Sequence, residues 1–217
     1  MFTWHEAADT ALFRPLPEAK ETDLVWIGNW GDGERTQELA EFLLEPVRRI
    51  GLSARVHGVR YPQDACVDLA ARGIAYGGWL PNHRVPEAFA RARVTVHIPR
   101  RPYVTSLPGI PTIRMFETLA CGIPLISSPW GDVEALFPPG SYLAARNGVE
   151  MAVALSLVLR DAELAAEMSG SGLAAIRARH SCAHRAVELT AIIGRLQAAT
   201  APVALPEHEE QQRVPAS

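Results

Sequence analysis

The feature that most constrains the fold is a repeated alternation of short apolar runs with stretches of helical length. The apolar runs cover residues 23–28, 54–58, 74–77, 94–98, 124–127 and 142–144. Helices are predicted between and after them at 34–50, 62–72, 85–92, 111–120, 148–160, 161–178 and 182–198. Nearly continuous apolar runs are typical of parallel strands that are covered on both faces. The sequence therefore predicts an α/β fold, a Rossmann-like parallel sheet of about six strands with helices on both faces.

Local residue choices set the expected details and boundaries. Pro46 falls inside the first helix, which it should kink or split, and Pro111 is placed to open the helix at 111–120 after a long loop at 99–110. Residues 1–22 are irregular and polar and resemble a linker, and residues 23–198 form the predicted domain. Residues 199–217 are rich in Pro, Glu and Gln, so we expect a disordered tail there.

Composition excludes several classes of function. The formal net charge is −3, which gives no support to a nucleic-acid partner. All but one of the 21 basic residues are arginine, the exception being Lys20, so arginine is informative here only at special positions. Three widely spaced cysteines indicate neither a disulfide framework nor a zinc site, and they favour a reducing compartment.

No targeting or membrane segment is expected. The first ten residues lack the apolar stretch of a signal peptide. The longest apolar run, at 151–159, is too short to span a bilayer. We therefore predict a cytoplasmic protein without a transmembrane segment.

The most informative stretch is residues 108–127. A helix that begins near Pro111 leaves free backbone N–H groups at Thr112 and Ile113, and these form an anion site together with the helix dipole. Arg114 lies in the same first turn and could contact a phosphate bidentately. Glu117, one turn later among apolar neighbours, needs a partner, and a pair of ribose hydroxyls is one possibility. One helix end could thus hold the diphosphate and the ribose of a nucleotide.

The same stretch carries a family resemblance. Residues 116–127, FETLACGIPLIS, resemble the Glu-Ala-Met-Ala-Cys-Gly-x-Pro-Val-Val signature of retaining GT-B glycosyltransferases. Residues 111–117, PTIRMFE, are closest to the CgeB-like group within glycosyl transferases group 1. The segment at 5–15 is similar to the interdomain linker of that fold. The resemblance implies the C-terminal, donor-binding half of a GT-B enzyme.

The resemblance also implies donor-binding residues. Glu117 would accept hydrogen bonds from the ribose, and Thr112, Ile113 and Arg114 would meet the diphosphate. The remaining contacts would come from loops after strands: Trp79 and Leu80 at the base, Trp30 and Gly31 over the phosphates, and Arg100 and Arg101 as basic groups. Such a site needs a nucleotide-diphosphate sugar as substrate, but no cofactor and no metal.

Two departures from the family pattern concern the sugar side of the site. Counting back from Glu117, Gly109 stands where retaining members have the first glutamate of Glu-x7-Glu, so the catalytic residues stay unknown. The basic residue usual in the first glycine loop is also missing, and Arg35 is the nearest one. The acceptor domain of a GT-B enzyme precedes the donor domain, so we expect an N-terminal Rossmann domain or a separate subunit as partner.

Alternatives stay open for most of these residues. Glu117 and Arg114 could form ordinary salt bridges, Arg100 and Arg101 could be solvated, and Trp30, Trp79 and His97 could be packing residues. His180, Cys182 and His184 suggest a metal, but Ser181 is expected to cap the following helix and no fourth ligand is evident. At the level of function, the alternatives are a non-catalytic nucleotide-sugar-binding or structural module and a GT-B-fold sugar epimerase.

Overall fold

The computed structural model describes residues 2–31, 33–107 and 109–200. Its strands are β1 (Thr22–Ile27), β2 (Ala54–His57), β3 (Ile74–Tyr76), β4 (Ala92–His97), β5 (Leu125–Ser127) and β6 (Leu143–Ala144). They form one sheet in the order β3-β2-β1-β4-β5-β6, and every pairing is parallel. The predicted parallel sheet of about six strands is confirmed.

The helices are α1 (Thr36–Leu39), α2 (Glu45–Ile50), α3 (Gln63–Ala71), α4 (Val85–Ala90), α5 (Arg101–Thr105), α6 (Ile113–Ala120), α7 (Gly148–Arg160), α8 (Ala162–Arg179) and α9 (Cys182–Thr200). A π-helical segment, Ala40–Leu44, joins α1 to α2, and a 3₁₀ turn, Asn82–Arg84, precedes α4. Helix α9 reaches two residues into the segment predicted as a tail, and residues 201–217 lie outside the described residues. None of the helices in the described ranges is both long and apolar enough to cross a membrane.

Successive side chains along the strands belong alternately to two apolar clusters, one on each face of the sheet. In β1, Leu24 and Trp26 join the cluster under α2 and α7, whereas Val25 and Ile27 join the cluster under α4 and α6. This alternation is the period-2 geometry of a strand that is buried on both faces. Helices therefore cover both faces, as the sequence predicts.

The first helix is split before Pro46, as the sequence predicts: the π-helical segment Ala40–Leu44 precedes α2, and the proline lies in the first turn of α2, where its missing N–H is tolerated. Two local predictions need correction. Residues 101–105 are helical rather than loop, with Pro102 in the first turn, where proline is favoured. Helix α6 begins at Ile113 instead of Pro111, because Thr112 keeps an extended backbone (φ −80°, ψ 155°) as the N-cap.

The N-terminal segment is fixed to the start of α9. Ala8 pairs with Ser181 in a parallel bridge, with the bonds Ala8 N–H to His180 C=O and Cys182 N–H to Ala8 C=O both at 3.0 Å. The Trp4 indole donates to the Arg185 carbonyl at 3.0 Å, and Arg185 Nε donates to the Glu6 carbonyl at 3.1 Å. These bonds hold residues 4–8 against the start of α9, and Glu6 of this segment contacts Ile113 at the beginning of α6.

Candidate functional site

All six strands are parallel, so their carboxyl ends lie at one edge of the sheet, and the loops that follow them carry the candidate site. The chain leaves β1 toward β2 and β3 and then crosses back to place β4 on the other side of β1. In such a sheet, ligands bind at the carboxyl ends of the strands where the order reverses, here between β1 and β4. The start of α6 lies at this edge, because Thr112 contacts the last residue of β4.

A buried hydrogen-bond chain links the ends of β4 and β5 to the start of α6. His97, which is 3% exposed, contacts Ser127 Oγ through Nδ1 at 2.9 Å and Thr112 Oγ1 through Nε2 at 3.0 Å. The Ser127 hydroxyl donates to the Ser128 carbonyl at 2.7 Å. Burial, together with the Arg35 cation, lowers the pKa of His97 to about 3. The imidazole is therefore neutral at physiological pH.

The first turn of α6 gathers the predicted charged residues. Arg114 Nη1 and Glu117 Oε2 lie 2.6 Å apart as an ion pair, although neither atom has an aligned hydrogen bond within the described part of the chain. Glu117 is 4% exposed, and burial raises the pKa of its carboxyl, opposed by Arg114 and by a hydrogen bond from the Asn82 side chain. A carboxylate oxygen can accept more than one hydrogen bond, so Glu117 keeps capacity for a ligand donor beside its ion pair with Arg114.

An anion already lies at the start of α6. The Glu6 carboxylate accepts the Ile113 N–H, which lowers the pKa of Glu6 against the larger raising effect of burial. Glu6 also raises the pKa of Glu117, so the two carboxylates are close enough to repel. The predicted anion site at the helix start therefore attracts a carboxylate of the same chain.

A second cation lies under the loop after β1. Arg35 Nη1 donates to the Ile98 carbonyl at 3.1 Å, Nη2 donates to the Asn29 carbonyl, and the guanidinium carbon lies 5.0 Å from the Trp26 ring centroid. Burial lowers the pKa of Arg35 to about 10, so this group keeps its charge at neutral pH. Gly31 has φ +96°, and a Cβ there would lie 3.1 Å from Arg35 Cβ. Arg35 thus ties together the loops after β1 and β4.

The remaining predicted residues follow β1, β3 and β4, whose carboxyl ends share this edge of the sheet. Trp30 packs on Tyr61, with ring centroids 5.3 Å apart. Trp79 is 71% exposed, and Leu80 is partly buried against the cluster under α4 and α6. Arg100 pairs with Glu34 at 3.4 Å and Arg101 with Glu38 at 2.9 Å, so both arginines bridge to the beginning of the first helix.

The structure brings Thr112, Ile113, Arg114 and Glu117 together, and Asn82 connects Glu117 to the loop that carries Trp79 and Leu80. Glu6 and Asn82 were missed because no local motif marks them; both reach α6 through tertiary contacts. Ser127 carried a weak signal, since it is a polar residue at the end of an apolar strand.

The histidines near residue 180 have structural partners. His180 Nε2 donates to the Leu136 carbonyl at 2.8 Å, and its Nδ1 lies 2.7 Å from Arg185 Nη2. Ser181 lies at the start of α9, where its hydroxyl contacts His184 Nδ1 at 2.7 Å and accepts the His184 N–H at 3.4 Å. The described ranges contain no group of three or more His, Cys, Asp or Glu side chains arranged to hold a metal ion.

Comparison with known proteins identifies the family. The family described as glycosyl transferase-like matches residues 35–191, which is most of the chain. The chain belongs to this glycosyl transferase-like family. No curated protein matches it in sequence.

Solved GT-B glycosyltransferases share the fold. Sucrose-phosphate synthase from Thermosynechococcus elongatus superposes with a TM-score of 0.71 at 17% identity, covering 90% of this chain and 52% of that one. Anabaena HepE in complex with UDP gives 0.69 at 13% identity, covering 87% and 56%. T4 phage β-glucosyltransferase in complex with UDP and Mn²⁺ gives 0.66 at 17% identity, covering 86% and 50%. The chain spans about half the length of these structures. The predicted GT-B relationship is confirmed, and the CgeB-like assignment stays a prediction.

Proposed function

We propose that the chain is the donor-binding half of a GT-B glycosyltransferase and binds a nucleoside diphosphate sugar at the carboxyl edge of its sheet. The observation that carries the proposal is Glu117, a buried carboxylate that pairs with Arg114 one turn from the Ile113 amide, which already donates to the Glu6 carboxylate. Anabaena HepE and the T4 phage enzyme were both solved with UDP, which supports uracil as the first base to test.

The proposed roles follow the geometry. Glu117 accepts the ribose hydroxyls while Asn82 keeps it oriented, and the Ile113 amide and Arg114 bind the diphosphate. Helix amides and guanidinium groups can stabilise the charge that develops on a leaving diphosphate, so we propose that donor binding needs no metal. Binding at equal affinity with and without EDTA is the corresponding expectation.

The other predicted contacts remain part of the proposal. Trp79 and Leu80 border the base from the loop after β3, and Trp30 and Gly31 cover the phosphates from the loop after β1. Thr112 fixes the backbone from which the helix amides project. Arg100 and Arg101 would have to exchange Glu34 and Glu38 for a ligand, so we expect smaller contributions from them.

A partner domain completes the proposal. The chain spans about half of its structural relatives, and one face of α9 exposes Leu189, Ile193 and Leu196, with Leu189 beside the exposed Trp4. An apolar face of this kind is typical of a contact surface. We propose that an acceptor-binding Rossmann domain, in the same polypeptide or in a second one, supplies the other half of the cleft.

A non-catalytic nucleotide-sugar-binding module is the second candidate, and Gly109 favours it. The residue has φ +85°, and a Cβ there would lie 2.3 Å from Val133 Cγ2. A glutamate here would need a left-handed backbone and a shift of the exposed Val133 side chain, so the position disfavours the residue that retaining relatives use near the transferred sugar. Transfer of sugar from the donor, measured with the partner domain present, distinguishes the two candidates.

Calorimetric titration with UDP, GDP and uridine tests donor binding. Glu117→Ala removes hydrogen bonds to a charged acceptor, so we expect all three affinities to fall roughly ten- to a hundredfold. Arg114→Ala should weaken UDP and GDP far more than uridine, because uridine carries no phosphate charge. Glu167→Ala and Arg177→Ala remove exposed residues of α8 and serve as matched controls. Equal affinity in all the proteins for a ligand that binds would move the site elsewhere.

A further inference from the structure

The hydroxyl of Thr112 is directed away from the helix that it begins. Thr112 occupies the N-cap position of α6 with the extended backbone of a capping residue, yet its side chain makes no capping hydrogen bond. A threonine at this position normally accepts the N–H of the second or third helical residue. Here the third, Met115, donates to the Thr112 carbonyl at 3.0 Å, so the Arg114 N–H is the amide that the hydroxyl would cap.

The hydrogen-bond chain through His97 explains why the cap is not formed. The single Ser127 hydroxyl hydrogen is donated to the Ser128 carbonyl, so Ser127 Oγ can only accept from His97 Nδ1–H. A neutral imidazole protonated on Nδ1 has an acceptor at Nε2. The Thr112 hydroxyl therefore donates to Nε2, at 3.0 Å. The buried side chains of Ser127 and His97 thus fix the direction of the Thr112 hydroxyl.

Resting on the proposed function, we propose that His97 is a positioning residue of the donor site: it holds the Thr112 hydroxyl off the start of α6 and so leaves the first helix amides to the donor diphosphate. Two further contacts agree with an anion at this point. The Ile113 N–H already donates to the Glu6 carboxylate, and the Arg114 guanidinium of the same turn pairs with the buried Glu117 carboxylate. His97 itself has no contact with the donor.

The inference makes a non-additive prediction. In His97→Ala the released hydroxyl caps the Arg114 N–H, and a cap of ordinary strength should weaken UDP binding about fivefold. Adding Thr112→Val removes the hydroxyl that causes the loss, so the double variant should bind UDP more tightly than His97→Ala alone. A purely structural role for His97 predicts the opposite order, because the second substitution can only add damage.

The experiment combines two measurements on the full chain. Calorimetry with UDP compares wild type, His97→Ala, Thr112→Val and the double variant. Independently of any ligand, nitrogen-15 NMR of the wild type should show a His97 ring protonated on Nδ1, and amide exchange at Arg114 should be faster in wild type than in His97→Ala. A double variant that binds as weakly as His97→Ala, or a ring protonated on Nε2, would overturn the inference.

The two proposals fail separately. Wild type that binds no nucleotide contradicts the proposed function, while the protonated ring nitrogen still decides whether His97 fixes the Thr112 hydroxyl. If His97→Ala does not fold, ring protonation in the wild type decides in the same way. Nucleotide binding together with an Nε2-protonated ring contradicts the role of His97 alone.

Discussion

At the scale of single residues, burial fixes the charges at the carboxyl edge of the sheet. Desolvation disfavours the charged form of a group, and it lowers the pKa of His97 to about 3 and that of Arg35 to about 10. The first shift makes the imidazole neutral at physiological pH, and the second leaves the guanidinium protonated. The edge therefore presents a permanent cation between the loops after β1 and β4, and a neutral imidazole that can hold a hydroxyl.

The pKa of His97 predicts acid sensitivity. In the unfolded chain this ring takes up a proton near its usual pKa of 6.5, whereas in the fold it resists protonation down to about 3. Its contribution to stability is complete above pH 6.5 and is lost as the pH falls toward 3, by up to about 1.4 kcal/mol per pH unit. His57 and His180, whose pKa values burial also lowers, add to the same trend.

Urea unfolding at several pH values measures this contribution. The free energy of unfolding of wild type should fall between pH 7 and pH 4 more steeply than that of His97→Gln. The exposed His83→Gln is the control and should follow wild type. Parallel curves for wild type and His97→Gln would show that the ring titrates normally in the fold.

At the scale of elements, the site depends on the close approach of the turns after β1 and β2. A Cβ on Gly58 would lie 2.0 Å from the Gly28 carbonyl oxygen, in a backbone with φ +153°. This carbonyl opens the loop that carries Trp30 and Gly31. A side chain at residue 58 must therefore push the first loop away from its place over the site.

Gly58→Ala should both destabilise the fold and weaken UDP binding. We expect a loss of at least about 2 kcal/mol, since backbone has to move. Gly73→Ala is the control, because its φ is +72° and a Cβ there meets nothing within 4 Å. It should cost roughly 1–2 kcal/mol for the left-handed conformation alone and keep the UDP affinity. Equal UDP affinities in the two variants would show that the loop after β1 does not contribute to UDP binding.

The elements themselves were largely predictable, and the contacts between them were not. Apolar runs give the strands and their burial on both faces, because the signal is local and repeated. The sequence predicts the start of α6 two residues early, since Pro111 and Thr112 both suit a helix start and the hydrogen bond from Thr112 to His97 is a tertiary contact. Glu6 meets Ile113 across more than a hundred residues of sequence, and no local pattern contains that contact.

At the scale of the whole molecule, the chain forms one six-stranded sheet and spans about half of the length of its structural relatives. We expect the isolated chain to bind UDP and to show negligible transfer from a UDP sugar to any acceptor, because the proposed partner domain would supply the acceptor side of the cleft. Release of UDP from UDP-glucose, followed with and without that domain, is the measurement. Robust turnover by the chain alone would mean that the acceptor site is built here or across a homodimer.

The location of the donor is tested most directly by a crystal structure of the chain with UDP. We predict the diphosphate at the Ile113 amide and Arg114, in the place now taken by the Glu6 carboxylate, and the ribose hydroxyls on Glu117. The His97–Thr112 hydrogen bond should persist in the complex. UDP bound away from the start of α6, with the Glu6 and Glu117 contacts unchanged, would contradict the proposed site.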